Sequence, residues 1–264
     1  MSGSGLIIKK NYEHRININT QINTNDHNIH YNLFIVYYIN CMLNENYMEW
    51  LYNQINIVKN YSEKIYIIAT IQKEKESDFK CNVIKLFPSV MIECFYSEEF
   101  EYSGIMKVWE LGQLYKNSND IILYFHSKGM THYQTFYQTL NDDYNIVLKN
   151  FDLINEIFMI FPKINKIGLF CGGIGWIWYN FWFARGSYIN TVERPIKTTR
   201  RHYYEDWLSR VVEKGDEISF EDKERPITYY KNTLDECYGL YTDNGKFFNI
   251  GSYFDSEKDC IFNM

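Results

Sequence analysis

Ile121-Ile122-Leu123-Tyr124-Phe125-His126-Ser127-Lys128-Gly129 is the stretch that decides the fold of this chain. Five apolar residues in a row, preceded by Asn119-Asp120 and closed by a glycine, describe a strand covered on both faces, where alternation is not needed. The run ends in three polar side chains that a buried strand does not easily carry further. In open α/β sheets, ligands bind just beyond the carboxyl ends of the strands. A His-Ser-Lys-Gly cluster at such an end suits an anion, a phosphate first of all. The plain alternative is a basic surface loop, and these nine residues alone do not separate the two.

Outward from this strand the same texture repeats. Leu33-Phe34-Ile35-Val36-Tyr37-Tyr38 reads as a buried strand ending at Asn40, and Ile65-Tyr66-Ile67-Ile68-Ala69-Thr70 as another. Between them Glu45 to Lys59 has helical spacing through Tyr47, Trp50, Leu51, Ile55 and Val58. Val83 to Phe87 and Met91 to Phe95 read as shorter β-like pieces. Gly104 to Tyr115 is helical, with Ile105, Val108, Trp109, Leu111 and Leu114 as its inner stripe. Asp143 to Phe161 reads as a long amphipathic helix closed by Pro162, and Lys166 to Phe170 as a further strand. Strands alternating with helices predict an α/β fold with a mostly parallel sheet flanked by helices. After Cys171-Gly172-Gly173 the chain becomes aromatic. A helix is expected over Tyr203 to Val212, and a loop-rich C-terminal cap beyond Gly215.

The 264 residues carry a formal net charge of -6, which argues against a general nucleic-acid binder. Nothing approaches the ~20 apolar residues of a membrane helix, since Asn180 and Arg185 interrupt Ile174 to Ile189. Six cysteines without a Cys-x-x-Cys pair suit reduced thiols in a cytoplasmic setting. Residues 1–28 are expected to form an irregular lead-in whose Met1-Ser2-Gly3-Ser4-Gly5 reads as a cloning remnant. Residues 29–264 are expected to form one domain. Aromatic residues make up 18%, but the chain's Asn, Ile, Lys and Tyr bias reflects an AT-rich genome equally well.

The short motifs of dinucleotide-binding folds, P-loop NTPases and nucleophile-elbow hydrolases are missing. Cys171-Gly172-Gly173-Ile174-Gly175 follows a strand without a clear helix after it, so backbone clearance for a substrate is its expected use. His126 and His132 straddle the end of the opening strand. As zinc ligands they need a third partner, for which the sequence offers only distant Glu205 or His202. Lys128 is more telling, because an ammonium is a compact charge suited to phosphate oxygens. On the helix around residue 205, Glu205 and Asp206 point about 100° apart. Glu205 flanks the apolar face, where desolvation can raise a carboxylate toward a useful base, while Asp206 is expected to point into solvent. Asn180 and Arg185, inside the aromatic run Trp176 to Tyr188, need partners if buried. Facing a cleft with Trp182, they suit a carbohydrate, whose C–H faces stack on rings.

The order strand, Tyr124-Phe125-His126-Ser127-Lys128-Gly129, long helix, Gly-Gly strand, then Asn180-Phe181-Trp182-Phe183-Ala184-Arg185-Gly186-Ser187-Tyr188-Ile189 and Arg201-His202-Tyr203-Tyr204-Glu205-Asp206-Trp207-Leu208 resembles a group of nucleotide-sugar glycosyltransferase-like proteins with a GT-A fold, found in large DNA viruses and bacteria. The resemblance spans roughly Phe34 to Leu208. It implies a Rossmann-type nucleotide-binding part over about 29–132 and an acceptor-binding part over about 133–264. It implies that Tyr38, Asn40, Thr70, Ser103, Lys107, His126, Ser127 and Lys128 bind the donor, and that Asn180, Trp182 and Arg185 contact donor sugar or acceptor. Glu205 would be the general base of an inverting transfer, with Asp206 in reserve. The donor would be a UDP- or GDP-sugar and the acceptor a glycan or another hydroxyl. One departure matters. GT-A enzymes usually place Asp-x-Asp after this strand to hold Mn²⁺ or Mg²⁺, whereas here His126-Ser127-Lys128 stand there and Asn141-Asp142-Asp143 comes later, as a helix cap. The expectation is that Lys128 with His126 neutralises the leaving diphosphate and no cofactor is required, Mn²⁺ or Mg²⁺ being the alternative. The rival reading is a non-catalytic carbohydrate- or nucleotide-binding module on the same fold.

Overall fold

The computed structural model describes residues 31–96, 100–127, 130, 144–145, 147–149, 151–169, 171–212, 225–243 and 246–251. The expected irregular lead-in, and Lys128, His132, Asn141, Asp142 and Asp143, lie outside them.

Three βα steps build the first half. Strand β1 (Asn32–Asn40) is followed by α1 (Tyr47–Val58), β2 (Lys64–Thr70), α2 (Glu76–Leu86), β3 (Met91–Phe95), α3 (Tyr102–Leu114) and β4 (Asp120–His126). Helix α4 (Phe151–Ile160) then leads to β5 (Lys166–Leu169), and a hairpin of β6 (Cys171–Gly172) and β7 (Trp176–Ile177) follows. A 3-10 turn (Trp178–Asn180), β8 (Trp182–Arg185), α5 (Gly186–Ile189), α6 (Arg201–Asp206), β9 (Cys237–Asp243) and β10 (Lys246–Gly251) complete it. Among the described residues the main sheet has eight strands in the order β10-β9-β5-β8-β4-β1-β2-β3. β8 runs antiparallel to both β4 and β5, and β10 antiparallel to β9, while the other six strands share one direction. The protein is therefore a mixed α/β fold with a mostly parallel sheet, as the alternation predicts.

Burial on both faces explains the unbroken apolar runs. Leu33, Ile35, Tyr37 and Ile39 of β1 join Leu51, Ile55 and Val58 of α1, Phe79 and Val83 of α2 and Ile154, Ile157 and Phe158 of α4 in one core layer. Phe34, Val36 and Tyr38 face the other way, onto Ile105, Val108 and Leu111 of α3, Tyr188 and Ile189 of α5 and Tyr203 and Tyr204 of α6. Helices on both sides of a parallel sheet make a doubly wound, Rossmann-like arrangement.

Two expectations about elements are corrected. Val83 to Phe87 is not β-like: Val83 to Leu86 closes helix α2, in which Phe79 and Val83, one turn apart, are the buried residues. Its outer face is held by a Lys80–Glu76 pair at 2.6 Å, and Ile84 and Leu86 are left exposed. The short apolar cluster hid the helical period that starts upstream. The segment beyond Gly215 is not only a loop-rich cap, because β9 adds to the main sheet beside β5 with Lys166 opposite Cys237 and Leu169 opposite Leu240. Only non-local pairing defines that strand, since Cys237-Tyr238-Gly239-Leu240 carries a glycine that weakens its local β signal.

One glycine sets how closely α3 meets the sheet. A Cβ on Gly104 would lie 2.9 Å from the Tyr38 Cβ and 2.9 Å from the Tyr124 Oη. Gly104→Ala gains about 1 kcal/mol of helix propensity but forces α3 off β1 and β4, an overpacking cost of about 1–3 kcal/mol. The variant is expected to melt below the parent in calorimetry. An unchanged or higher melting temperature would show that the first turn of α3 has room to move.

Candidate functional site at the carboxyl ends of β1 and β4

From β1 the chain moves outward to β2 and β3 on one side, and later returns to place β4 on the other. The crevice between the carboxyl ends of β1 and β4 is thus the topological switch point, where doubly wound sheets bind ligands. Helix α3 precedes β4, so its N-terminus opens at this same end.

Most of the expected donor-binding residues meet here. The Tyr38 hydroxyl donates to the Phe100 carbonyl at 2.7 Å and lies 3.1 Å from Thr70 Oγ1, so the Thr70 hydroxyl supplies that second hydrogen. Asn40 Oδ1 accepts from the Met42 N–H at 3.1 Å and turns the chain at the end of β1. The Ser127 N–H donates to the Tyr38 carbonyl at 3.1 Å, which extends the β1–β4 pairing beyond His126. Ser103 is buried in the first turn of α3.

At the centre stands a residue that sequence reasoning missed, Glu101, at the N-cap of α3. Its Oε2 accepts from the Tyr124 hydroxyl at 3.1 Å and from the Asn180 side-chain amide at 2.8 Å. Its Oε1 lies 3.2 Å from His126 Nδ1. His126 Nε2 lies 3.0 Å from the Tyr179 carbonyl oxygen. His126 thus bridges the Glu101 carboxylate and the Tyr179 carbonyl through its two ring nitrogens. The one sequence signal for Glu101 was an acidic residue just before a helix start, a position the helix dipole favours.

The partners of His126 and Glu101 come from a backbone turn that costs free energy. Tyr179 has φ 66° and Asn180 φ 51°, both left-handed. Asn tolerates this region, but for Tyr it costs roughly 1–2 kcal/mol. The turn aims the Tyr179 carbonyl at His126 and sets the Asn180 amide on Glu101. Asn180 is 1% exposed, and among the described residues nothing donates to its Oδ1. A buried acceptor left unpaired in this way costs free energy.

Other expected residues stand elsewhere. Trp182 pairs across from Tyr124 in the sheet, fully buried, with its ring 5.3 Å from that of Tyr124 and 6.5 Å from that of Trp207. It lies in the core beneath the cluster. Arg185 does not face a cleft with Asn180: it pairs with Ile121 at the opposite end of β4, roughly 17 Å from His126 at ~3.3 Å per residue. Its guanidinium is spent on the carbonyls of Ile164, Ser118 and Phe158 at 2.8, 2.6 and 2.7 Å. The antiparallel direction of β8 carries it away, which no local pattern could reveal. Lys107 reaches toward β3 and sits 2.5 Å from Glu93 and 3.0 Å from Glu110. Burial pulls its ammonium down, yet the two carboxylates more than offset this and hold it above the ordinary lysine value.

Of the two helix carboxylates, Asp206 stands in surroundings opposite to those expected of it. Asp206, expected in solvent, is buried and grips Arg210 with both oxygens, at 2.7 Å to Nε and 3.2 Å to Nη2. The helix ends at Asp206 and tightens into a 3-10 turn (Trp207–Ser209), which brings Arg210 back over it. Glu205 is half-buried and 3.2 Å from His202 Nδ1. The neighbouring Tyr204 ring lies 6.2 Å from that of Phe100, so α6 packs beside the start of α3. The glycines of 171–175 do not clear room for a substrate. A Cβ on Gly173 would meet the Trp176 ring, and one on Gly175 would meet the Thr233 backbone, so their space is filled by packing.

Among the described residues no three His, Cys, Asp or Glu side chains gather as metal ligands. The carboxylate nearest the crevice, Glu101, is already engaged by Tyr124, Asn180 and His126. Among the described residues no helix is long and apolar enough to cross a membrane.

No family model matches the chain, and no curated protein matches it. Among solved structures it is similar to a cytidylyltransferase from Leptospira borgpetersenii serovar Hardjo-bovis (strain JB197), with 11% sequence identity and a TM-score of 0.37 over 67% of this chain and 68% of that one.

Proposed function

We propose that this protein is a nucleotide-sugar-dependent glycosyltransferase of GT-A type that binds its donor in the crevice between β1 and β4. The observation that carries the reading is the meeting, at the switch point, of the α3 N-terminus and the linked His126, Glu101 and Asn180 side chains. The first-turn N–H groups of a helix of this length are a natural seat for phosphate oxygens. Lys128, two residues past His126 in the sequence, supplies the cation for the leaving diphosphate. Because His126 is itself held by Glu101 and Tyr179, its part is to fix the strand end from which Lys128 departs. Tyr38, Asn40 and Thr70 border the nucleobase.

In the transfer, the acceptor oxygen forms a bond to the anomeric carbon from the face opposite the diphosphate. The anomeric C–O bond breaks, and its electron pair leaves with the nucleoside diphosphate. The acceptor proton passes to Glu205, whose helix packs beside the start of α3. A non-catalytic binding module on the same fold is the competing reading.

A thermal-shift screen with UDP-, GDP-, dTDP- and CMP-sugars, each with and without Mn²⁺, tests binding. A donor at 100 times its Kd stabilises the native state by about 2.7 kcal/mol. Transfer to an added glycan, or hydrolysis of the donor, then separates enzyme from module: binding with neither favours the module. No shift with any nucleotide sugar would overturn the reading. Lys128→Ala is expected to lower turnover at least ~10²-fold, the scale of a lost charge-stabilising contact. Full activity in that variant, abolished by EDTA, would instead assign the diphosphate to a metal ion.

A further inference from the structure

One edge of the main sheet is β3, which among the described residues has a neighbour only on its β2 side. The ladder to β2 runs without a register shift, from Tyr66 opposite Met91 to Thr70 opposite Phe95. The Ile71 N–H donates to the Phe95 carbonyl at 2.9 Å, so Phe95 turns its backbone groups toward β2. Successive residues of a strand alternate. Met91 and Glu93 therefore face β2 as well, while Ile92 and Cys94 point N–H and C=O away from the sheet.

Such an edge is a template for another strand, and proteins blunt it with Lys, Pro, a bulge or a covering segment. β3 reads Met-Ile-Glu-Cys-Phe and has none of the first three. Nor is it covered, since Met91 is exposed and the other four residues are half-buried. Its one charge, Glu93, turns to the α3 face, where Lys107 lies 2.5 Å away. On the opposite face Ile92 and Cys94 pack on the layer that holds α1 and α2. Helix α2 runs along this edge, because its Glu76 accepts from the hydroxyl of Tyr96, the residue just past β3. Further along the same helix Ile84 and Leu86 are exposed.

We propose that two copies of this chain pair through β3, antiparallel about a twofold axis at Glu93, into one continuous sheet. Ile92 of one copy then lies opposite the second copy's Cys94, and each such pair exchanges both backbone bonds. Four ladder bonds result, and every outward N–H and C=O of Ile92 and Cys94 is used. Met91 faces the second copy's Phe95, an apolar pair. The two Glu93 side chains also meet. Like charges directly opposite destabilise a strand pair, but each Glu93 brings the Lys107 ammonium of its own chain. A stable interface buries about 800 Å² per partner, more than five residues supply. Helices α2 and α3 flank the edge on its two faces and provide the remainder, with Ile84 and Leu86 among the contacts. The occupant is a second copy because the edge is its own complement in hydrogen bonds, in apolar pairs and in charge. β3 lies two strands from β1, so the pairing leaves the crevice open and rests on no reading of its ligand.

Sedimentation equilibrium of the full chain is the test, and the parent is expected to run at twice the chain mass. Ile92→Pro removes an N–H that faces away from its own sheet. Proline is tolerated at such edge positions, so the monomer fold should persist, with an unchanged far-UV circular dichroism spectrum. The variant loses two of the four ladder bonds, and its dissociation constant is expected to rise at least ~10-fold. If that variant does not fold, Glu93→Cys decides. It sets the two introduced thiols opposite each other in a non-hydrogen-bonded pair, with Cα atoms about 4.5 Å apart and within disulfide reach. A peptide cross-linked through position 93 of both copies is expected after mild oxidation. A parent that stays monomeric up to ~100 µM, far above the Kd of a specific interface, would overturn the proposal. So would a folded Ile92→Pro chain that dimerises as tightly as the parent, or a Glu93→Cys chain without the cross-link.

Discussion

Asp206→Ala is expected to lower stability by about 3–5 kcal/mol, because it strands a buried guanidinium. Arg210 is fully buried, and its charge is met by the two Asp206 oxygens. Its plane also lies 4.4 Å from the centre of the Tyr203 ring and 5.1 Å from that of Tyr230, and one Nη donates to the Arg225 carbonyl at 2.9 Å. It therefore ties α6 to the segment 225–230. Calorimetry should show a fall of roughly 10 °C in Tm for a chain of this size. The double variant Asp206→Leu with Arg210→Met should recover much of the loss, since an apolar pair of similar volume often replaces a buried ion pair without cost. A single variant within ~1 kcal/mol of the parent would mean that Asp206 behaves as a surface charge after all.

The second large effect is expected at Glu101. Glu101→Gln keeps the shape but offers an N–H₂ group where the carboxylate accepts from Tyr124, Asn180 and His126. An N–H₂ group then replaces one accepting oxygen, and the carboxylate charge beside His126 is lost. The Asn180 turn, already left-handed at φ 51°, loses one of the contacts that hold it. A shift of about 1 Å in a positioned group can cost 10²-fold in rate. On the proposed function, kcat should fall roughly 10²-fold, with KM for the donor changed much less if Glu101 positions rather than binds. Glu101→Asp should restore part of the loss, because it returns the charge on a shorter arm. A Glu101→Gln enzyme with unchanged kcat would remove the cluster from the machinery.

The two predictions differ in how visible their residues were. Asp206 was read from a helix wheel, and the wheel gives its direction only while the helix continues. The chain leaves α-helical geometry there, so Arg210 turns back onto it. Glu101 carried a weak local sign, an acid before a helix. Its weight comes from Tyr124, His126 and Asn180, which lie 23 residues or more away along the chain. Arg185 teaches the same lesson in reverse. Its place in an aromatic run with Asn180 suggested a shared cleft, but a reversed strand separates them by most of the sheet's height. The donor-side residues Tyr38, Thr70, Ser103 and His126 fared differently, because each sits at an element end that the apolar pattern marks.

The sequence by itself determined the alternation of strands and helices, the two-faced burial of β1 and β4, and the strand end at His126. These follow from local apolar runs, and a parallel sheet covered on both faces leaves no other place for them. Only the tertiary structure decided strand order, the reversal of β8, the addition of β9 to the sheet, and the Glu101 cluster. Each rests on hydrogen bonds or ion pairs between residues far apart in the chain, and the stabilisation of a buried charge depends on which partners the fold brings within ~3 Å.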